Sequence, residues 1–198
     1  VLVSEFGGTF YTIAKDVKFQ LEFNPVHVDQ YRLIGYENRV MADEDFDNDK
    51  KDAGDIGAGH TVTALYEIIP MGNKKLKDKT LKYQTPQLTE EALNSNDLVN
   101  LKLRYKEPEG SASELVVQTL KNTPLRLNKT TDNFRFSAAV TEFGMLLRDS
   151  EFKGTSSWDS ARELALNAKG DDAEGYRAEM IRLIEAAQLL SNEAYNEE

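Results

Sequence analysis

The spacing of apolar residues changes once along this chain, near Asn128, and that change limits the fold more than any other feature. Before it, apolar side chains recur every second residue. Val17, Phe19, Leu21 and Phe23 alternate with Lys18, Gln20 and Glu22, and Asn24-Pro25 closes the run. Val99, Leu101, Leu103 and Tyr105 alternate with Asn100, Lys102, Arg104 and Lys106. Pro108-Glu109-Gly110 then turns the chain into a further run, Glu114 to Leu120. A period of two belongs to half-buried strands, and repeated turn signals between them imply antiparallel sheets with one wet face. After Asn128 the period becomes helical. Phe136, Val140, Phe143 and Leu147 form one stripe. Ser157 opens a second helix carrying Trp158, Ala161, Leu164, Ala165 and Ala168. Asp171 or Asp172 caps a third, with Tyr176, Met180, Ile184 (with Leu183), Ala187 and Leu190 as its expected buried seam. The expected fold is therefore α+β: an antiparallel β-sandwich over residues 15–128, then a three-helix segment over 129–198 packed on or beside it.

The front part is organised around Tyr31 to Pro70. His60 to Ile69 reads as a strand with Val62, Ala64, Tyr66 and Ile68 on one face, and Leu33, Ile34 and Tyr36 supply a strand before it. Between them, residues 43–55 hold seven acids and two lysines, a local net charge of −5 (2 − 7). Adjacent carboxylates and turn-forming Asp and Asn stop a sheet there. Gly54, Gly57 and Gly59 are expected to supply positive φ on the way into the next strand.

Asp43, Asp45 and Asp47 match the first three ligand positions of a calcium-binding helix-loop-helix, where hard carboxylate oxygens suit a hard cation. The match stops there. Asn48 stands where the turn glycine belongs and Gly54 where the bidentate glutamate belongs, so a solvated loop is the preferred reading. Gly54-Asp55-Ile56-Gly57-Ala58-Gly59 suggests a phosphate loop, but its glycine order is wrong and a strand, not a helix N-terminus, comes next.

Charge and composition remove further classes. A net charge of −10 and a pI near 4.8 disfavour nucleic acid, which needs a basic surface. The basic cluster Lys74-Lys75-Leu76-Lys77-Asp78-Lys79 reads as a solvated loop. The chain has no cysteine and two histidines, His27 and His60, with no nucleophile-elbow phrase, so thiolate metal sites and a His-based triad are disfavoured. Trp158, Phe134, Phe136 and Phe143 fit a core better than an aromatic ligand site, and Gly144 suggests close helix-to-sheet packing. No catalytic, cofactor-binding or metal-binding residue is assigned, and the chain is read as non-enzymatic. No apolar run is long enough to span a bilayer. Starting at Val1, the chain is read as a piece of a longer protein.

Several long phrases carry a resemblance. These are YRLIGYENR (31–39), DAGDIGAGHTVTALYEIIP (52–70), LKLRYKEPEG (101–110), FRFSAAVTEFGMLLRDSEFKG (134–154) and GYRAEMIRLIEAAQLL (175–190). Together they resemble the C-terminal domain of unassigned function that comes after the von Willebrand factor type A domain in a family of bacterial proteins. The resemblance implies that residues 1–14 are a remnant of that preceding domain. The type A metal loop, Asp-x-Ser-x-Ser, does not occur here, so no residue inherits its metal. The resemblance further implies a non-catalytic accessory module that docks on or orients its own type A domain, or binds another protein. The location it implies is extracytoplasmic, in the periplasm or at the cell surface as part of a lipoprotein. The alternatives are a calcium- or carbohydrate-binding module using loop 43–55, and a carboxylate-based hydrolase.

Overall fold

The computed structural model describes residues 11–35, 40–72, 82–83 and 87–196, with side chains as far as Ser191. It divides into two compact units, Val1–Thr123 and Pro124–Glu198. The protein is α+β, with antiparallel sheets in the first unit and helices in the second.

In the first unit β1 (Thr12–Phe23), β2 (Val28–Ile34), β3 (Gly54–Gly57) and β4 (Leu65–Pro70) precede a short helix α1 (Glu90–Asn94), then β5 (Asp97–Lys106) and β6 (Ser113–Lys121). One sheet has the order β3-β1-β5-β6 and a second pairs β2 with β4; every pairing is antiparallel. Phe23 at the end of β1 meets the second sheet, its ring 4.4 Å from that of Tyr31 and 5.9 Å from that of Tyr66. Burial holds the Tyr66 hydroxyl above its ordinary pKa, with Tyr31 adding to the effect. Thr89 caps α1, accepting from the Ala92 amide. Thr12 and Ala14, in the segment read as a remnant, pair with Gly57 and Ile56. The basic cluster at 74–79 and most of the segment 1–14 lie outside the described residues.

Three strand-level expectations are corrected. Alternation puts Phe19 inside and Lys18 outside, but Phe19 is 51% exposed and Lys18 only 3%. The β1–β5 register shifts between Lys15 and Lys18, with Asp16 at φ 52° within the shift, and the acidic loop covers the face on which Lys18 and Arg104 lie opposite each other. Residues 60–64 are not a strand and Val62 is exposed; the strand begins at Leu65. Gly54 to Gly57, expected to turn, instead form β3 and pair with β1. Among Gly54, Gly57 and Gly59, Gly59 alone adopts positive φ.

The second unit holds α2 (Asp132–Leu147), α3 (Trp158–Asn167) and α4 (Tyr176–Asn196). Thr131 caps α2, and Ser157 with Ser160 form a reciprocal capping box at α3. Asp172 accepts from the amides of Arg177 and Ala178, and the first of these holds its carboxyl below the ordinary value. Ala139, Ala161, Ala165, Ile181 and Ile184 form the buried core, with Phe136, Phe143, Trp158 and Met180 packed against it. Three alanines in that core let the helices approach closely. The α4 seam differs from expectation. Ile184 is buried as expected and Ile181 is buried beside it, whereas Tyr176 and Leu190 are exposed; next to Tyr176, Arg177 turns inward over the Phe136 ring and onto the Ala168 carbonyl. Gly144 marks no close approach: a Cβ there would meet nothing within 4 Å.

Candidate functional site

The acidic loop is the most highly charged stretch, and the sheet beneath it decides its chemistry. Phe46 is its anchor, 4% exposed, with the Arg104 guanidinium 5.4 Å from its ring centroid. Around that anchor three cations from β1 and β5 answer the loop. Lys18 Nζ donates to the Asp45 carbonyl (3.1 Å) and the Asn48 carbonyl (2.6 Å). Arg104 Nη2 bonds Asp47 Oδ1 at 2.7 Å while its Nη1 donates to Ser113 Oγ at 3.0 Å. Lys106 Nζ reaches Asp16 Oδ2 and the Asp49 carbonyl, each at 2.7 Å.

Carboxylates complete the lacing. Ser113 Oγ donates to Asp49 Oδ1 at 2.5 Å. Asp16 Oδ1 accepts from the Ala53 amide at 3.0 Å, and the Asp16 amide donates to Asp55 Oδ1 at 3.1 Å. Lys51 pairs with Asp45 at 3.0 Å. The Lys106 ammonium, then the Ala53 amide, hold the Asp16 carboxyl below the usual carboxylate range; reciprocally Asp16 raises Lys106. Ser113 lowers Asp49. Arg104 Nε is the exception, a buried donor with no hydrogen-bond acceptor among the described residues.

This arrangement leaves the candidate calcium ligands divided. Asp43 to Asp45 form a single 3₁₀ turn, Asp45 turns to Lys51 and Asp47 to Arg104. Among the described residues no group of three or more His, Asp or Glu side chains could hold a metal ion. The glycine-rich phrase at the end of the loop runs through an edge strand, which offers no helix N-terminus to a phosphate. The histidines stay apart: His27 Nε2 lies 3.4 Å from the Ser95 carbonyl and His60 is exposed. Phe143 and Trp158 meet edge to face at 6.0 Å within the helical core, and Phe134 is exposed.

Beside the loop lies a cavity of about 620 Å³. Val17, Leu33, Ile56 and Tyr66 supply apolar lining, and Asp45 and Lys51 line it as a pair. Its size suits a small ligand. Chemically the whole arrangement fixes a loop, with Asp47 the loop carboxylate paired to a sheet cation. Sequence reasoning misses the residues that do this, Lys18, Arg104, Lys106 and Ser113. The signal that could find them is three cations on the polar face of two strands, in a chain whose one long acidic loop carries −5.

A family model described as "Uncharacterized protein YfbK, C-terminal" matches residues 8–190. The Escherichia coli (strain K12) protein described as "Uncharacterized protein YfbK" is 46% identical over 192 residues, covering 97% of this chain and 33% of that protein. The chain thus spans about a third of the length of the curated relative it matches. No solved structure matches. On a family match covering nearly its whole length, the chain belongs to the family of the YfbK C-terminal region.

Proposed function

We propose that this chain is a non-catalytic accessory module of a larger bacterial protein, working through protein–protein contact. In that protein it comes after a von Willebrand factor type A domain, outside the cytoplasm, and docks on or orients that domain. The two sheets are the layers of a sandwich with Phe23, Tyr31 and Tyr66 between them, and the helices form a distinct helical segment. One observation carries the reading: the sheet holds the most highly charged loop, Lys18 and Lys106 through its backbone carbonyls and Arg104 and Ser113 through the Asp47 and Asp49 carboxylates. Large apolar residues meanwhile stand exposed on β6 and α4. The test is to delete residues 15–198 from the full-length parent. The expected result is a lower melting temperature of the remaining domain or loss of a bound partner. Unchanged stability and unchanged partner binding remove the proposal.

A second reading rests on the cavity beside the loop, which fits a ligand-binding module. Saccharide and calcium titrations followed by calorimetry check it, and absence of heat with either at millimolar concentration ends it.

A further inference from the structure

Among the described residues β6 ends the larger sheet, with β5 on one side and no strand on the other. A free edge presents unpaired amides and carbonyls, and natural proteins blunt it with proline, bulges or charged side chains, lysine above all. From Leu115 to Leu120 β6 has none of these. Its nine residues, SELVVQTLK, contain neither proline nor glycine, and its register against β5 is unbroken from Leu120 to Ser113. Eight of the nine are exposed, including apolar side chains on both faces. Leu115 and Val117 lie opposite Arg104 and Lys102; Val116 and Leu120 lie opposite Leu103 and Val99. Such an edge accepts one kind of occupant, another extended strand.

We propose that the occupant is β6 of a second copy of this chain, paired antiparallel about a two-fold axis at Gln118. In a two-fold antiparallel pair, opposed residues share a face. The axis at Gln118 sets Val116 against Leu120 twice on one face. On the other it sets Val117 against Thr119 and the Lys121 stem over Leu115, also twice. Gln118 meets itself, an amide able both to donate and to accept. Moving the axis to Val117 would set Val116 against Gln118 and Glu114 against Leu120, mismatching both. Charge agrees with self-pairing. The only charges on β6 are Glu114 near one end and Lys121 at the other, so the edge is neutral and antiparallel pairing sets no like charges opposite each other. The rest of each copy carries the net −10, whose repulsion salt screens. This inference goes beyond the accessory role and stands or falls without it.

Sedimentation velocity of the 198-residue chain from about 1 to about 200 µM, a window that brackets micromolar dissociation constants, tests the pairing. The expected result is a monomer–dimer equilibrium that tightens as salt rises. Val116→Lys and Leu120→Glu, each on an exposed position, should separately weaken the dimer by tenfold or more, about 1.4 kcal/mol. Combining them should recover much of the loss, because opposed unlike charges then meet at two symmetric places. A monomer throughout, or a dimer indifferent to both single changes, overturns the proposal. Circular dichroism in the strand region and its thermal transition report whether each variant is folded. Should either fail to fold, Gln118→Cys replaces them in a chain otherwise free of cysteine. Mild oxidation should link it into a covalent dimer, while Val62→Cys, an exposed site away from β6, should stay monomeric. Equal cross-linking of the two also overturns the pairing.

Discussion

The two units hold themselves together by different means. In the helical unit the fully buried positions are Ala161, Ala165, Ala168 and Ile184, with Ala139, Ile181 and Met145 nearly so, a core of small side chains in close contact. In the sheet unit the buried apolar residues are Val28, Phe46 and Val99, and beside them sits a buried lysine. There, ion pairs and carbonyl contacts tie an acidic loop to one end of the sheet. Packing depends little on pH or salt, whereas charge-assisted contacts depend on both. The two units are therefore expected to differ in their sensitivity to pH and salt. The only tryptophan, Trp158, lies in the helical unit, so its fluorescence reads that unit.

The largest expected effect is in the helical core. Ile184→Ala removes a fully buried side chain and should cost about 2–5 kcal/mol in urea unfolding followed by Trp158 fluorescence. Phe46→Ala should cost about 3 kcal/mol in the sheet unit and free the loop, read as new protease cleavage between residues 40 and 53. The comparison breaks if Phe46→Ala shifts the Trp158 transition as far as Ile184→Ala does, because the units would then unfold as one.

Lys18 sharpens the contrast. Lys18→Met keeps the aliphatic stem but removes the ammonium from the Asp45 and Asn48 carbonyls, which keep the Asn48 and Lys51 amides as donors. Losing two hydrogen bonds from a charged donor should cost about 1–3 kcal/mol, with Trp158 unmoved. A stabilised sheet unit would show that the buried ammonium is a burden and not a clasp.

How far the residues announce this architecture differs by element. The helix starts are readable because capping is local: Thr131 and Ser157 bond amides three residues on. Strand identity is readable from period two, yet which face of β1 is covered is not. Alternation separates faces without saying what lies over each. Lys18 is on the polar face and becomes buried only because residues 27–30 positions downstream in sequence fold back over it. Periodicity finds Met180 and Ile184 on α4 but adds Tyr176 and Leu190 and omits Ile181, because the apolar residues of that helix spread over two adjacent stripes. Hydrophobicity does not rank two stripes on one helix; contact with α2 and α3 does. Gly54 to Gly57 hide a strand because glycine has low strand propensity, overridden here by pairing with β1.

Acid should separate the loop from the helical core. The Asp16 carboxyl has a folded pKa below its unfolded value near 3.8, so its contribution is complete above that value and lost as pH falls through the folded pKa. Asp49 has the same sign. Acid titration should thus loosen loop 43–53 below about pH 4, seen as amide exchange at Ala53 and Ser113. Asp16→Asn tolerates the positive φ while removing the charge, and should flatten that acid limb. Asp172 also has a lowered pKa, so α4 loses its cap in the same range, and the N-terminal turn of α4 is the control for the comparison.

The smallest expected effect falls on Asp43, and it is informative for that reason. Asp43 begins the 3₁₀ turn and is exposed, one acid among the seven in residues 43–55. If the loop's job is to be held by the sheet, only carboxylates that reach a cation or an amide matter, and Asp43→Asn should change stability by no more than about 0.5 kcal/mol. Relief of like charge with Glu44 and Asp45 sets the sign toward slight stabilisation. If Asp43, Asp45 and Asp47 instead converge on calcium, the same change would weaken a calcium-dependent rise in melting temperature. Measuring Asp43→Asn and the parent chain with and without millimolar calcium therefore separates a loop fastened by this protein's own lysines and arginine from one that awaits a cation.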